Sequence, residues 1–443
     1  IRRPPRSTQS RSSAASDVYK RQLLTYHMTN TMNEITSCEV CGNSNLFSVL
    51  NLGSHPMCDD LVKVDENRIC KEYPIEILFC KKCLTGHQRY QVPKNELFPS
   101  SYHYRSRFTA DVIKGMKGLV EATLIRYEKA ENIKVLDIGC NDGSLLDFFK
   151  NSGAITIGIE PTDAYKDAKE KGHTTYNNFL SNEIAEIILK EHGSPDIITF
   201  TNVFAHIENL SEVLSSLKIL MNNDTMIVIE NHYLGAVLER SQFDTFYHEH
   251  PRTYSYTSFL HMAKSLELEV LDVDFPSRYG GNIRVFLGNK ALSKNSDVGD
   301  KELLIEKESC FFDEFQTLNS NINSWVTNKT IIINSLIKKH GAIKAKAFPG
   351  RAAILVKMLK LDKNHISGVY EKPGSLKIGH YLPGTRIPIY SDDDLFLLDD
   401  SVLPIINLAW HISKEINEYM TSIGYKGSIV DILSKDDFKE LNE

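Results

Sequence analysis

The sequence has no long hydrophobic run, no excess of positive charge and few aromatic residues. No apolar segment approaches the roughly 18 residues of a membrane helix, which excludes a membrane-spanning protein. The 443 residues include 51 Lys and Arg against 57 Asp and Glu, a net charge of −6 that argues against nucleic-acid binding. Aromatic residues make up 9% and hydrophobic residues 42%, as in ordinary globular proteins, and the length predicts two to four domains.

Residues 1–27 differ from the remainder in charge, because they contain six basic residues and one acidic residue. The remaining 45 basic and 56 acidic residues carry a charge of −11. The segment lacks both the apolar stretch of a secretory signal and helical periodicity, so we predict disorder. Residues 1–22 also resemble translated sequencing-adapter sequence, and we expect a non-native segment followed by a start at Met28 or Met32. A disordered basic arm is the alternative.

Four of the eight cysteines form two C-x2-C pairs, Cys38 with Cys41 and Cys80 with Cys83. Such pairs converge on one tetrahedral zinc ion, and four thiolates leave no open position, so we predict a structural zinc. Two disulfides are the alternative, but the lack of a secretory signal favours metal binding in the reducing cytoplasm.

The middle of the chain predicts a strand over 133–139, a turn over 140–143, a helix capped by Ser144, and a second strand over 155–159 that ends before Glu160. An acid at this place can accept the hydroxyls of a ribose. The turn lacks the middle glycine of the dinucleotide fingerprint, so an uncharged or zwitterionic ligand fits better than NAD.

The motif D-I-G-C-N-D-G, followed about 20 residues later by G-I-E-P, resembles motifs one and two of class I S-adenosylmethionine-dependent methyltransferases. A further strand over 196–202 places its carboxyl end, and His206, at the same sheet edge. Any one of these residues alone is more often structural, but together they favour a cofactor site. The predicted cofactor residues are Asp137, Gly139, Asn141, Gly143, Glu160 and Asn202.

Several titratable side chains follow a strand predicted over 226–230, namely Tyr247, His248, Glu249 and His250. Histidine accepts protons near neutral pH, and a nearby carboxylate or phenol can orient it. A metal site of the H-x-H type is the alternative, although the spacing lacks the i, i+4 relation that places two histidines on one helical face.

Together these motifs, in their order over residues 38–440, resemble the sugar C-methyltransferases that act on nucleotide-linked 4-keto deoxysugars. The shared motifs include F-D-T-x-Y-H-E-H at 243–250 and G-G-N-I-R at 280–284. The resemblance implies an amino-terminal zinc module, a class I methyltransferase domain and a carboxyl-terminal α/β domain. It also implies that a base removes the proton α to the keto group, and that the resulting enolate attacks the methyl group of S-adenosylmethionine.

The resemblance implies a catalytic site of five residues: Tyr104, His206, Tyr247, Glu249 and His250. His250 would be the base, assisted by Tyr247, and Glu249 would orient the site. His206 and Tyr104 would hold the sugar or stabilise the enolate. Tyr102 is the alternative to Tyr104.

The last third predicts a helical stretch over 301–340, with a packing face that includes Leu303 and Trp325, and then a second strand and helix alternation without a phosphate-binding glycine loop. Glu371 follows a predicted strand, as in a nucleotide-ribose site or a surface loop. The substrate phosphates require local cations. The candidates are Arg105, Arg284, Arg351 and Lys377.

We therefore expect an α/β protein with a zinc module, a class I Rossmann-like methyltransferase domain and a second Rossmann-like domain. The expected boundaries are 1–27 (disordered), 28–108 (zinc module), 109–290 (methyltransferase), 291–340 (helical connector) and 341–443 (substrate domain). The expected ligands are S-adenosylmethionine, zinc and a nucleotide-linked sugar, without nucleic-acid or membrane partners. The alternatives are O- or N-methylation of another metabolite and an inactive zinc-bearing scaffold.

Overall fold

The computed structural model describes residues 32–98, 105–108, 110–127, 132–292, 298–395 and 402–439. The strands are β1 (Asn33–Glu34), β2 (Phe47–Pro56), β3 (Val62–Lys63), β4 (Glu72–Cys80), β5 (Thr85–Gln88), β6 (Tyr90–Gln91), β7 (Lys134–Ile138), β8 (Ile155–Ile159), β9 (Thr174–Tyr176), β10 (Ile197–Thr201), β11 (Met226–His232), β12 (Arg252–Thr253), β13 (Glu269–Asp274), β14 (Asn282–Gly288), β15 (Ile343–Lys346), β16 (Ile366–Glu371), β17 (His380–Tyr381), β18 (Ile389–Ser391), β19 (Ile405–Asn407) and β20 (Ile429–Asp431). The helices are α1 (Lys94–Leu97), α2 (Ala110–Arg126), α3 (Ser144–Asn151), α4 (Tyr165–Glu170), α5 (Asn182–His192), α6 (Leu210–Leu220), α7 (Leu234–Glu239), α8 (Tyr256–Ser265), α9 (Val298–Glu308), α10 (Phe311–His340), α11 (Ala352–Met358) and α12 (Ser413–Ser422).

The central sheet has seven strands in the order β13, β14, β11, β10, β7, β8, β9. Strand β14 is antiparallel to both of its neighbours, while β11, β10, β7, β8 and β9 are parallel. Strands β7, β10 and β11 are buried almost throughout, as expected for parallel strands covered on both faces. The strand order reverses between β7 and β10, so a crevice forms beyond their carboxyl ends.

Helix α3 begins differently from the expectation, because Ser144 is its first helical residue and not its cap. The capping position is Gly143, whose φ of +74° suits glycine. The carboxylate of Asp142 accepts hydrogen bonds from the Ser144 backbone N at 3.2 Å and from its Oγ at 2.6 Å. The aspartate therefore performs the function that we expected of the serine.

The amino-terminal sheet has the order β12, β5, β4, β2, and all its pairs are antiparallel. Its fourth strand, β12, belongs to the middle of the chain: Arg252 pairs with His87, and Thr253 pairs with Gly86. The zinc-binding part and the methyltransferase part of the chain therefore share one sheet.

A second doubly wound sheet occupies the carboxyl-terminal part, with all five strands parallel in the order β18, β16, β15, β19, β20. The predicted second Rossmann-like unit is confirmed. Its strand order reverses between β15 and β19, so it has a crevice of its own. Strand β17 leaves this unit and pairs with β3 in the amino-terminal part, opposing His380 to Lys63.

The long helix α10 joins the carboxyl-terminal and middle parts through its buried face. Trp325 is fully buried, its ring lies 5.0 Å from that of Phe243, and its Nε1 donates to the Ile432 carbonyl at 2.8 Å. Leu303, on the preceding helix α9, is 65% exposed and is not part of the expected packing face. Among the residues that the structure describes, no helix has both the length and the apolar character needed to cross a membrane.

Replacement of Trp325 by Ala should lower the free energy of unfolding by about 3–5 kcal/mol, because it leaves a cavity and an unpaired Ile432 carbonyl. Urea unfolding of the full chain measures the loss. Ile331, 54% exposed on the same helix, provides the control. Ile331→Ala should change stability by no more than about 0.5 kcal/mol. A similar small change in Trp325→Ala would contradict the assigned packing role.

Candidate active site and zinc centre

The four cysteines of the two C-x2-C pairs, here called the zinc knuckles, lie together. All four sulfurs are within 4.8 Å of one another. Cys38 Sγ lies 3.3 Å from Cys83 Sγ, and Cys41 Sγ lies 3.6 Å from Cys80 Sγ. Zinc–sulfur bonds of about 2.3 Å place the sulfurs of a tetrahedral site about 3.8 Å apart, whereas a disulfide requires about 2.05 Å. The donor set therefore fits zinc, and the cysteines are not joined as disulfides.

Donors around the sulfurs support the site, and the sequence did not reveal them. Asn43 Nδ2 donates to Cys80 Sγ at 3.4 Å, and the buried His87 places Nε2 3.3 Å from Cys38 Sγ. The other ring nitrogen of His87 lies 3.6 Å from the Glu39 carboxylate. Such outer contacts orient the ligands of a zinc ion.

Replacement of Cys38 by Ser should abolish stoichiometric zinc binding, since zinc then lacks one thiolate of a closed site. Metal analysis of the purified chain measures the zinc content, and thermal unfolding measures the accompanying loss of stability. Cys310→Ser is the matched control because Cys310 is exposed. A full zinc equivalent in Cys38→Ser would contradict the assignment.

The turns after β7 and β10 contact each other at the crevice of the central sheet. Gly139 has a φ of +71°, and a Cβ at this position would lie 2.6 Å from Val203 Cγ2. Only glycine therefore fits this close approach. Asn141 and Asn202 adopt left-handed conformations in the two turns, with φ of +50° and +54°. The structure thus brings the predicted glycine turn and the end of β10 to one edge.

Glu160, at the end of β8, is held against the glycine turn. Its Oε2 accepts from the Asn141 backbone N at 3.0 Å, and its Oε1 accepts from the Thr162 N at 2.8 Å. Burial raises the pKa of Glu160, while the bonds from Thr162 and Asn141 act in the opposite direction. Oε1 also accepts from Thr162 Oγ1 at 2.5 Å, so Oε2 is the oxygen that retains a lone pair for a further donor, and the role of Glu160 in binding a ribose stays a prediction.

Asp137 lies beneath this turn, within β7. Its Oδ1 accepts from Thr199 Oγ1 at 2.7 Å and thereby joins β7 to β10. Burial is the largest cause that raises the pKa of Asp137 to about 7. Its contact is thus with the neighbouring strand, and its cofactor role stays a prediction.

The segment 105–108 covers the glycine turn. The Ser106 N donates to Asn141 Oδ1 at 3.0 Å, and the Arg107 N donates to Asp142 Oδ2 at 3.0 Å. Tyr102 and Tyr104 lie outside the described residues, so their predicted role stays a prediction.

A buried carboxylate at the end of β11, Glu230, organises the opposite side of the crevice. It accepts from Arg284 Nε at 2.7 Å and from Asn282 Nδ2 at 3.0 Å, and it lies 3.3 Å from Arg278 Nη1. The side chain of Asn282 also donates to Asn202 Oδ1 at 3.2 Å. Arg284 is therefore part of an internal ion-pair network and does not provide the free phosphate-binding cation that we expected.

Three histidines and a tyrosine cluster beside the crevice. The ring of His250 lies 4.2 Å from Tyr247, 4.8 Å from His206 and 5.1 Å from His232. The structure thus brings together three of the predicted catalytic residues. His232 was not predicted, although its position directly after a buried strand was a usable signal.

Backbone carbonyls fix the orientation of two of these imidazoles. His250 Nδ1 lies 2.9 Å from the Thr245 carbonyl, and His206 Nδ1 lies 2.7 Å from the Glu249 carbonyl. A carbonyl only accepts, so this contact assigns the proton of neutral His250 to Nδ1 and leaves Nε2 as a proton acceptor. This is the tautomer that a general base requires.

The remaining predicted residues of the Y-H-E-H motif have different surroundings. His248 directs Nε2 to the Tyr73 carbonyl at 3.0 Å, away from the cluster. Among the described residues, only the four knuckle cysteines form a cluster suited to metal, which gives the H-x-H alternative no support. Glu249 is buried and holds His206 through its backbone carbonyl, while the role of its carboxylate stays a prediction.

Burial dominates the electrostatics of the cluster. It lowers the pKa of His206 to about 4 and that of His232 to about 3. Burial, followed by the charges of these two neighbours, places the pKa of His250 well below its usual value, and burial raises the pKa of Tyr247. At neutral pH the imidazoles of the cluster are therefore uncharged.

The carboxyl-terminal unit contributes a cation beside this cluster. Arg351 is 8% exposed, its Nη1 donates to Thr245 Oγ1 at 3.0 Å, and its Nε lies 3.2 Å from Asp244 Oδ2. Trp410 Nε1 donates to the same Asp244 oxygen at 2.9 Å. The site is thus built from both doubly wound units, and sequence spacing does not reveal this arrangement.

The activity should persist below pH 6.5, the ordinary pKa of histidine. With the neutral form of His250 as the predicted base, we expect activity to be lost only as the pH falls through its lowered pKa. A pH profile of kcat/KM measures this acid limb, with tryptophan fluorescence to establish that the chain stays folded. An acid limb at or above pH 6.5 would contradict the buried neutral imidazole.

The seven-stranded sheet, with one antiparallel strand next to the last parallel pair, defines a class I S-adenosylmethionine-dependent methyltransferase. Three families match successive parts of the chain: a putative zinc binding domain over 38–98, a methyltransferase domain over 108–273 and a C-methyltransferase C-terminal domain over 277–431. Together the three matches extend over residues 38–431 and indicate a methyltransferase with a zinc-binding part and a C-methyltransferase C-terminal domain.

Individual relatives agree with these matches. C-methyltransferase NovU of Streptomyces niveus is 26% identical over 405 residues, which are 88% of this chain and 93% of the relative. A ubiquinone biosynthesis O-methyltransferase of Glaesserella parasuis is 34% identical over 103 residues, which cover 22% of this chain and 44% of the relative.

Solved structures of methyltransferases align with part of the chain. Magnesium protoporphyrin IX methyltransferase of Synechocystis PCC 6803, solved with bound SAM, gives a TM-score of 0.31 at 13% identity and covers 41% of this chain and 82% of its own. A methyltransferase of Clostridium acetobutylicum gives 0.33 at 11% identity and covers 40% and 92%.

Proposed function

We propose that this methyltransferase adds a methyl group to the carbon α to the keto group of a nucleotide-linked 4-keto deoxysugar. The observation that carries the proposal is the neutral imidazole of His250, whose Nδ1 is tied to the Thr245 carbonyl and whose Nε2 accepts protons. Carbon becomes a nucleophile only after deprotonation, so a C-methyltransferase needs such a base beside its cofactor. The cytoplasm is the proposed location, because thiolates bind zinc where cysteine stays reduced.

When bound, S-adenosylmethionine supplies an electrophilic methyl group. In our proposal Gly139 and Gly143 allow the backbone to approach it, and Glu160 accepts the ribose hydroxyls. Asn141 and Asn202 line the same edge of the sheet. The residues fit the cofactor because Glu160 is already fixed by backbone donors from Asn141 and Thr162, and therefore needs no rearrangement.

In the proposed reaction His250 Nε2 accepts the proton α to the ketone. The electron pair of the broken C–H bond forms a C=C bond, and the carbonyl electrons move to the oxygen to give an enolate. The C=C electrons would then form the bond to the methyl group as its bond to the cofactor sulfur breaks, which would leave S-adenosylhomocysteine and the restored ketone. His250 would release its proton to solvent. Tyr247, 4.2 Å from the imidazole, packs against the base and keeps its protonated hydroxyl at neutral pH.

We propose that the carboxyl-terminal unit holds the nucleotide. Two of the residues expected to contact it, Glu371 and Lys377, instead form hydrogen bonds within the chain. Glu371 Oε1 accepts from the Phe348 N at 2.6 Å, and Lys377 Nζ donates to the Phe348 carbonyl at 2.7 Å. Both side chains thus shape the loop after β15. Arg105 likewise donates to Asp167 at 2.9 Å, near the cofactor turn.

Methylation at oxygen or nitrogen is the second candidate function. The local match to an O-methyltransferase over 103 residues supports this candidate. Solvent deuterium distinguishes the two. With cofactor withheld, a C-methyltransferase should exchange the proton α to the ketone, whereas heteroatom methylation requires no such exchange. Mass spectrometry of a panel of nucleotide-linked 4-keto deoxysugars in D2O measures it.

His250→Ala should abolish both deuterium exchange and methyl transfer, with a loss of at least about 10²-fold, because the proton has no acceptor. Calorimetry with S-adenosylhomocysteine should show unchanged binding, since the turn at Gly139 is intact. His365→Ala removes a histidine of the carboxyl-terminal unit that pairs with Asp362 and should retain full activity.

Three results would contradict the proposal. Near-normal turnover in His250→Ala would remove this base from the mechanism. Methyl transfer without any exchange in the wild type would favour heteroatom methylation. A wild-type chain that fails to bind S-adenosylhomocysteine would favour the inactive scaffold.

A further inference from the structure

The crevices of the two doubly wound sheets lie against each other. In the carboxyl-terminal sheet the strand order reverses between β15 and β19, and Arg351 and Trp410 follow these two strands. Both side chains contact Asp244, which precedes the histidine cluster of the methyltransferase part. Residues beyond the carboxyl ends of one sheet therefore reach the catalytic groups of the other.

Arg351 has N–H groups that donate no hydrogen bond to the described part of the chain. Its side chain is 8% exposed, and neither Nε nor Nη2 makes a hydrogen bond within the described part of the chain. The Asp244 oxygen nearest Arg351, Oδ2, also accepts a hydrogen bond from Trp410 Nε1. A buried guanidinium with unused donors is costly to retain unless a further acceptor is bound there.

Thr245 fixes the distance between this cation and the base. Its side-chain hydroxyl accepts from Arg351 Nη1 at 3.0 Å, and its backbone carbonyl accepts from His250 Nδ1 at 2.9 Å. Both groups are thus anchored on one residue. After burial, the positive charge of Arg351 is among the causes that lower the pKa of His232 and His250, so the guanidinium lies close to these imidazoles.

We propose that Arg351 is a catalytic residue that binds the enolate oxygen formed when His250 removes the α proton. This inference rests on the proposed function. As the negative charge develops on the carbonyl oxygen, the unused Arg351 donors form charge-assisted hydrogen bonds to it. No electron leaves the substrate in this step, because the proton moves to His250 and the charge stays on the oxygen. The cation offsets that charge in a site from which water is largely excluded.

The test separates proton removal from methyl transfer. In D2O without cofactor, Arg351→Met should lower the saturated rate of α-proton exchange by about 10²–10³-fold, with little change in KM for the sugar. Arg351→Lys should recover part of the rate, because lysine restores the charge but not the planar donor pair. Lys363→Met removes an exposed cation of the same unit and should exchange at the wild-type rate.

Arg351→Met leaves the Asp244 carboxylate buried without its cation and can therefore unfold the chain. A second variant distinguishes unfolding from a specific loss of exchange. The double variant Arg351→Met/Asp244→Asn removes both charges and should show the same loss of exchange. Circular dichroism and S-adenosylhomocysteine binding verify that the folded site persists.

An elevated KM with an unchanged saturated rate would overturn the proposal and assign Arg351 to a phosphate of the substrate. Unchanged exchange in the double variant would overturn it as well. If the wild type fails to exchange any keto sugar of the panel, the proposed function itself fails and this inference falls with it. Exchange in the wild type that survives loss of Arg351 overturns the role of Arg351 alone.

Discussion

The fully buried guanidinium of Arg252 holds the zinc module and the catalytic segment together. Its Nη1 donates to Glu39 at 2.6 Å, directly beside the knuckle residue Cys38, and its Nε donates to the Tyr254 hydroxyl at 2.9 Å. The backbone of Arg252 simultaneously pairs with His87 in the amino-terminal sheet. Arg252 lies only two positions after His250 in the sequence. The position of His250 therefore depends on a charge pair whose acidic partner, Glu39, lies in the zinc knuckle.

Burial on three sides explains why this site can use uncharged histidines. The cluster lies between the central sheet, the amino-terminal module and the loop that carries Arg351. Removal from water disfavours imidazolium, and each imidazole also disfavours the charge of the next. A solvent-exposed cluster of the same residues would be partly protonated at neutral pH. The second doubly wound unit thus helps to bury the histidine cluster and places Arg351 beside it.

Local patterns in the sequence were sufficient for much of the architecture. Two C-x2-C pairs predict a zinc site because both ligands of each pair lie in one turn. The strand, glycine turn and acid at 133–160 predict the cofactor edge because parallel strands end on the same side. The contacts that complete the site were not predictable in this way. Glu230 with Arg284, and Asp244 with Arg351, are 54 and 107 residues apart, and no spacing rule connects such partners. The predicted cap of α3 was wrong for a smaller reason, since Asp142, two positions before Ser144, is a polar residue equally suited to accept hydrogen bonds at a helix start.

Strand β12, which the middle of the chain contributes to the amino-terminal sheet, affects the order of folding. The knuckles are complete once Cys83 has been synthesised, so zinc can bind early, but β5 keeps an unpaired edge until residues 252 and 253 have left the ribosome. Exposed strand edges promote association between chains. The amino-terminal module can therefore bind its metal while its sheet is unfinished, and pairing across more than 160 residues slows the step that completes the sheet. The segment that carries His250 is then also the segment that closes the sheet.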